Sequence, residues 1–571
     1  VFSALAEQRK AGVVQDQESM SAVRRYRVWG RGPQRLDFWL MGLSMVLGAG
    51  TLWPPELQAN VYATNLRLVG GLQPGGGGSV EIRYVLNEPA TAGVQVEILQ
   101  GAQPVRVFSL AGGAPGTMRG ENVVLWDGRD DAGQPVCCGS YRVRVTAAAH
   151  GYGTWTQISD DFNPGNYVFA PAGIAVHRDA TSPYYGRVFV ANARPGPNPE
   201  FTEGDRPGIL KFYADGSPVG EGSWSDGGWA WAADGSSPGE LEVGDNGWLY
   251  VWDRARQQLL RFDAEVTASS LRQAWGEGNR PQPGAVMAGF GLSFWNGAMR
   301  LWMAQESVGA GPGVYLWRLD AQGVAAAGDP GVLAVSAGTG SDLTAAPVDV
   351  AAFGGWLFVA QSRLNSGDPA PRVLGFAHGT NEPVGLRTAL WSIGGGDDNL
   401  RGASAVAVDP TGRYVAVAFR GVLSGGIFRG GRIVLLDALT GQWLATLPRA
   451  DQAYTGVAWD AVGNLYVACW SESVWRVYSP PGSNAATTVS IQTVEVTEPS
   501  QRPVLELFRY EAGQIVLALS GRPHTTYVLE GSADLRQWSP VTTVEMGAVS
   551  RRVFTVAAPQ PRQFYRARVG P

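Results

Sequence analysis

The chain has 571 residues, 45% of them hydrophobic and only 17% charged, with 77 Gly, 36 Pro, 21 Trp, 18 Tyr, 19 Phe and a net charge of −5. Turn formers and β-prone aromatics at this density point to an all-β protein of several domains with ample cores, and they exclude a disordered chain. The mild charge excludes a basic nucleic-acid face, the scarcity of lysine (Lys10 and Lys211 alone) excludes a G-x-x-x-x-G-K-[ST] phosphate loop, and three cysteines make neither a disulfide framework nor a zinc ligand set. Cys137 and Cys138 are adjacent and could close only a strained ring, so they are expected to be two small buried residues, with a redox-labile pair as the alternative.

Residues 1–59 read as a leader. Arg24, Arg25, Arg27, Arg31 and Arg35 precede an apolar run from Phe38 to Leu52 that is short for a membrane span. Small-residue sites follow at Leu57-Gln58-Ala59 and Val61-Tyr62-Ala63. This is a signal-peptide pattern and implies export, with an uncleaved N-terminal anchor as the alternative. No later apolar run is long enough to span a membrane.

Residues 60–150 alternate with period two, as in Val80–Leu86 and Val94–Leu99, which predicts half-buried antiparallel strands. Trp126-Asp127-Gly128-Arg129-Asp130-Asp131-Ala132-Gly133 follows, then Gly139-Ser140-Tyr141 and a second alternating run. Trp126 is expected to anchor a core, and the Asp and Gly residues to form turns. Three carboxylates, Asp127, Asp130 and Asp131, also raise calcium, but without the spacing of an EF-hand. The motif resembles the immunoglobulin-like domain of the flagellar hook-capping family over about 85 residues, with Cys138 where Ser is usual. The resemblance implies a β-sandwich. The hook-capping function is not carried over.

Residues 160–485 hold a unit that returns six times. Gly186, Gly247, Gly297, Gly355, Gly412 and Gly463 precede strongly β-prone segments, and their separations are 61, 50, 58, 57 and 51. Several strands per unit at this period predict a six-bladed β-propeller, because one blade cannot bury both faces of its sheet. The second unit is the clearest, with Pro238-Gly239-Glu240-Leu241-Glu242-Val243 leading to Gly247-Trp248-Leu249-Tyr250-Val251-Trp252-Asp253 and then Leu260-Arg261-Phe262-Asp263. It resembles the NHL-type repeat. Turn carboxylates such as Asp245 and Asp460 are expected to close hairpins rather than hold calcium.

Propellers similar to this one include sugar-lactone hydrolases, in which a Glu, Asn and Asp set holds one divalent ion in the funnel. The matching inner-strand starts here are Glu240, Asp349, Ser404 and Thr455, with Pro171 and Phe290 in the other blades and Asn166 and Asp398 in loops. Two carboxylates make a poor ligand set for calcium or zinc. His150, His177, His378 and His524 are scattered, and there is no G-x-S-x-G or H-E-x-x-H motif. No cofactor and no catalytic set is therefore expected. Trp224, Trp229, Trp231, Trp275, Trp295, Trp391 and Trp470 fall in or near loops and are read either as inter-blade packing or as stacking platforms for glycans.

Pro480–Ala486 reads as a linker, and Thr487–Val496 as a strand that closes the last blade or leads out of it. Residues 497–571 read as a small immunoglobulin-like sandwich with Trp538 and Tyr565 as core anchors, similar to a C-terminal module of large exported bacterial proteins. The whole reads as an exported, non-enzymatic platform at or outside the cell surface, with a protein or glycan partner, no nucleic acid and no membrane span once the leader is removed. The rivals are a metal-dependent hydrolase and a structural spacer.

Overall fold

The computed structural model describes residues 61–73, 77–199, 205–220, 223–306, 312–361, 372–394, 402–496, 503–511, 514–549, 551–557 and 564–570. The leader lies outside them. The fold is all-β, with helix confined to three short 3-10 turns among the described residues. None of the described helices is long and apolar enough to cross a membrane.

Six four-stranded antiparallel sheets fill the middle of the chain. Their first strands are Pro171–Val176, Leu241–Val243, Met287–Trp295, Pro347–Phe353, Ala403–Val408 and Tyr454–Trp459. The second strands are Val188–Asn192, Leu249–Asp253, Ala298–Gln305, Trp356–Gln361, Tyr414–Phe419 and Leu465–Cys469. Each second strand coincides with a predicted segment and is buried on nearly every residue, as a strand packed on both faces must be. The preceding glycine has φ between 71° and 92° in five sheets. In the fourth, Gly354 rather than Gly355 takes the left-handed conformation, at 56°.

The first strand of each sheet lies beside that of the next, and the sixth returns to the first. The fourth strand of sheet six comes from far upstream. Thr156–Gln157 pairs with Val474–Ser479, through Gln157 with Tyr478 and Thr156 with Ser479. This two-residue strand has no periodicity to read in sequence. Thr487–Val496, one expected way of closing that sheet, does something else. It belongs to the long strand Gly482–Val496, which pairs with Gly139–Tyr152. The Pro480–Ala486 linker reading is therefore corrected: its Gly and Asn suggest a turn, but Gly482 onward is laddered.

Upstream, a three-stranded and a four-stranded sheet enclose one core around Trp126, Tyr84, Tyr141 and Ile82. Asp127 and Asp130 accept backbone N–H groups from Arg129 and Gln134, which is turn chemistry, and Asp131 accepts one from Val107 on a neighbouring strand. Cys137 and Cys138 are exposed, contrary to the buried reading, because they lie in the loop that leads into Gly139–Tyr152. This part meets the six sheets through Tyr62, whose hydroxyl is 3.1 Å from that of Tyr466 and whose ring is edge-on to Tyr185.

The C-terminal residues form two three-stranded sheets over small cores built on Tyr527, Leu519, Leu517 and Leu529. Tyr565 packs at the edge of one of these cores, whereas Trp538 is partly exposed beneath the Arg566 guanidinium, 4.2 Å away, and is no core anchor.

Candidate functional site

Where the six first strands converge, their inward edges carry N–H groups that no ladder satisfies. Buried donors need partners. Side chains of neighbouring first strands supply them. Glu240 accepts from Phe290 N at 2.9 Å, Glu242 from Leu292 N at 2.7 Å, and Asp245 from Phe294 N at 3.2 Å. Glu240 and Glu242, two residues apart, thus meet alternate N–H groups of sheet three, as the period of a strand requires, and Asp245 in the following turn meets the next. Asp349 joins sheet four to sheet five by accepting from Val406 N at 2.7 Å. Ser404 donates to Tyr454 O at 2.8 Å, and Thr455 to Pro171 O at 2.7 Å.

Of the four sequence-derived candidates, Asp349, Ser404 and Thr455 lie on first strands and Glu240 directly precedes one, and all four fasten one sheet to the next. Glu240 and Asp349 also meet each other across sheet three. Gly289 makes room for them. A Cβ there would sit 2.7 Å from Asp349 Oδ1 and 2.9 Å from Glu240 Oε2. Burial, and then the charge of Asp349, push the Glu240 carboxyl well above its usual range. Burial likewise raises Asp349, to about 7, against the pull of its hydrogen bonds. Glu242 is raised to about 8, again chiefly by burial.

No group of three or more Asp, Glu, His or Cys side chains placed to hold a metal occurs among the described residues. Asp398 lies outside them. Asn166 is buried, and its Nδ2 donates to Asp160 O at 2.8 Å, away from the axis. His177 is buried in the turn between the first two strands of sheet one, and burial lowers its pKa to about 4. His378 packs on Trp295 and Trp302.

Two cavities open along the convergence of first strands, one at each end. The smaller, of about 460 Å³, is lined by the ends of first strands, including Glu242, Asp245, Phe294, Phe353 and Trp459. The larger, of about 770 Å³, is lined by their starts and by residues from all six sheets. Glu240 lines both.

Three arginines that the sequence reading did not single out, Arg194, Arg254 and Arg420, line the larger cavity with Glu306, Phe428 and Trp470. Arg254, Glu306, Arg420 and Trp470 each occupy the position directly after a second strand, in sheets two, three, five and six. That position lies seven to nine residues beyond the repeat glycine, so the register was readable in the sequence. Among the seven loop tryptophans, Trp470 lines an axial cavity, while Trp275, Trp295 and Trp391 are buried as packing.

No family model and no curated protein matches the chain. Solved structures resemble it distantly. A structural-genomics protein of unknown function from Bacteroides thetaiotaomicron is 12% identical, with a TM-score of 0.35, and the match covers 74% of this chain and 98% of that one. The calcium structure of a Trichoderma reesei carbohydrate-active enzyme of family AA12 is also 12% identical, with a TM-score of 0.36, over 58% of this chain and 96% of that one.

Proposed function

We propose that the six sheets are the blades of an NHL-like β-propeller between two immunoglobulin-like sandwiches, and that the chain is an exported, non-enzymatic platform that binds a protein or glycan at or outside the cell surface. The ring order of first strands and the N-terminal strand completing the last sheet support the propeller. The arginine-rich, apolar leader supports export. Of its two cleavage sites, Ala59 suits the fold better, because Val61, Tyr62 and Ala63 are fully buried parts of it.

The observation that carries the binding reading is the larger cavity, which takes residues from every sheet, while the carboxylates below it are engaged in fastening sheets together. Its volume falls in the range of small-ligand sites. One feature favours the hydrolase reading: Glu240 lines both cavities and burial raises its carboxyl above the usual range, as suits a general acid. Turnover of a lactone and ester panel by the full chain and by Glu240→Gln separates the two. The platform reading expects no turnover above buffer from either protein. Turnover by the native chain that Glu240→Gln abolishes would establish the hydrolase.

A further inference from the structure

The larger cavity has an unbalanced charge. Arg194, Arg254 and Arg420 line it, and the carboxylates on its described lining are Glu306 and Glu240, which is engaged by Phe290 N and whose pKa burial raises. Glu306 is paired with Arg254 at 2.7 Å. Arg194 and Arg420 have no carboxylate partner among the described residues. Each instead rests on the Trp470 ring, with its guanidinium carbon 5.9 Å and 5.6 Å from the ring centroid. Arg194 also donates through Nη2 to Asp234 O at 3.3 Å, and the remaining N–H groups of the two guanidinium forks suit a planar anion. Arg420 also feels the like charges of Arg254 and Arg194, which, after desolvation, depress its pKa. Gathering like charges is costly unless a counter-charge joins them.

The backbone around these arginines is fixed. Asn192 Nδ2 donates to Arg194 O at 2.6 Å and to Arg206 O at 2.9 Å, which sets the loop carrying Arg194. Gly235 lies against that side chain, where a Cβ would come within 2.2 Å of Arg194 Nε. Gly421, with φ of 71°, turns the chain straight after Arg420 into the hairpin Val422–Ser424 and Ile427–Arg429. That hairpin places exposed Val422 and Leu423 on the same cavity wall. The wall therefore combines guanidinium forks, an indole and an apolar rim.

We propose that this cavity binds an anionic saccharide, a sugar whose uronate carboxylate or sulfate ester is gripped by Arg194 and Arg420 while its ring lies against the aromatic and apolar wall. This deepens the platform reading and rests on it. A sugar fits the wall because a pyranose has an apolar face for Val422, Leu423 and Phe428, and its charged substituent projects from the ring edge towards the forks. The floor at Glu240 limits depth, which favours a short oligosaccharide end over a long peptide.

The test uses the full chain in titration calorimetry. The probes are trigalacturonate, its methyl ester, neutral galactotriose, a sulfated trisaccharide and hexaglutamate, with the Arg420→Gln and Arg420→Lys variants alongside. Trigalacturonate or the sulfated sugar is expected to bind, the tighter of the two naming the anion. The ester and the neutral sugar are expected to bind at least about tenfold more weakly, since one charge-assisted hydrogen bond is worth about that factor. Arg420→Gln loses about the same factor, Arg420→Lys recovers part of it, and the melting temperature of either variant matches the native chain. Equal binding of acid and ester, no binding of either anionic sugar, or unchanged affinity in Arg420→Gln would overturn the inference. Hexaglutamate binding as tightly as the sugars would reassign the cavity to acidic peptides. Equal binding of the neutral sugar removes the anion and leaves the platform, whereas turnover lost in Glu240→Gln removes the platform whatever the calorimetry gives.

Discussion

Asp161→Ala is expected to destabilise the six-sheet part by about 3 kcal/mol, the low end of the range for breaking a buried ion pair. The seam there is thin, because Thr156–Gln157 supplies only two ladder positions to sheet six. Side chains reinforce it. Asp161 accepts from Arg476 at 2.8 and 3.2 Å and from Gln157 at 2.8 Å, and it pairs with Arg449 at 2.6 Å. Arg476 is only 2% exposed, so its charge cannot turn to solvent when Asp161 is lost. Glu472 remains at 2.6 Å and limits the damage. Urea unfolding monitored by tryptophan fluorescence measures the loss. A change under about 1 kcal/mol, the size seen for surface substitutions, would mean that the seam does not depend on this cluster.

Trp126→Ala is expected to cost about 3–5 kcal/mol, the range for emptying a large aromatic site in a core. Trp126 is fully buried, meets Tyr141 edge-on at 5.6 Å between ring centroids, and donates its indole N–H to Arg129 O at 2.9 Å. Truncation leaves both a cavity and an unpaired carbonyl in the turn. The damage should centre on the first two sheets, though not stay wholly within them, because Gly482–Val496 runs on from sheet six into that part. Hydrogen exchange can localise it. Protection lost first at Gly120–Trp126 and Gly139–Tyr152 is the expected pattern, and unchanged protection there would show that Trp126 does not anchor this core.

Much of the fold was legible because its strongest signals are local. A glycine turn followed by a largely apolar strand marks six second strands, and each of those segments is a strand in the structure. The strands that join distant parts were not legible. Thr156–Gln157 is too short to carry a period, and Gly482–Val496 pairs with residues 330 or more positions upstream. The same split holds at the site. Position marked Glu240, Asp349, Ser404 and Thr455 as residues at the starts of first strands, but not the N–H and C=O groups that occupy them. The arginines were hidden by abundance. Nearly all of the 45 basic residues are Arg, so one more Arg in a loop carries little information. Only its place directly after a second strand distinguishes Arg254 or Arg420.

The central claim is that the axial carboxylates hold sheets together and leave the cavities to binding. Thermal melting of the full chain, with and without a strong divalent-ion chelator, tests it most directly. A tightly held ion stabilises by RT ln(1 + [L]/Kd), about 2.7 kcal/mol at a hundredfold excess over Kd, and its removal lowers the melting temperature by several degrees. Fastening by Glu240, Glu242 and Asp349 predicts that the chelator shifts the midpoint by less than about 1 °C, because backbone N–H groups rather than an ion satisfy these side chains. A drop of several degrees that added calcium reverses would contradict it, and would make the axis a metal site.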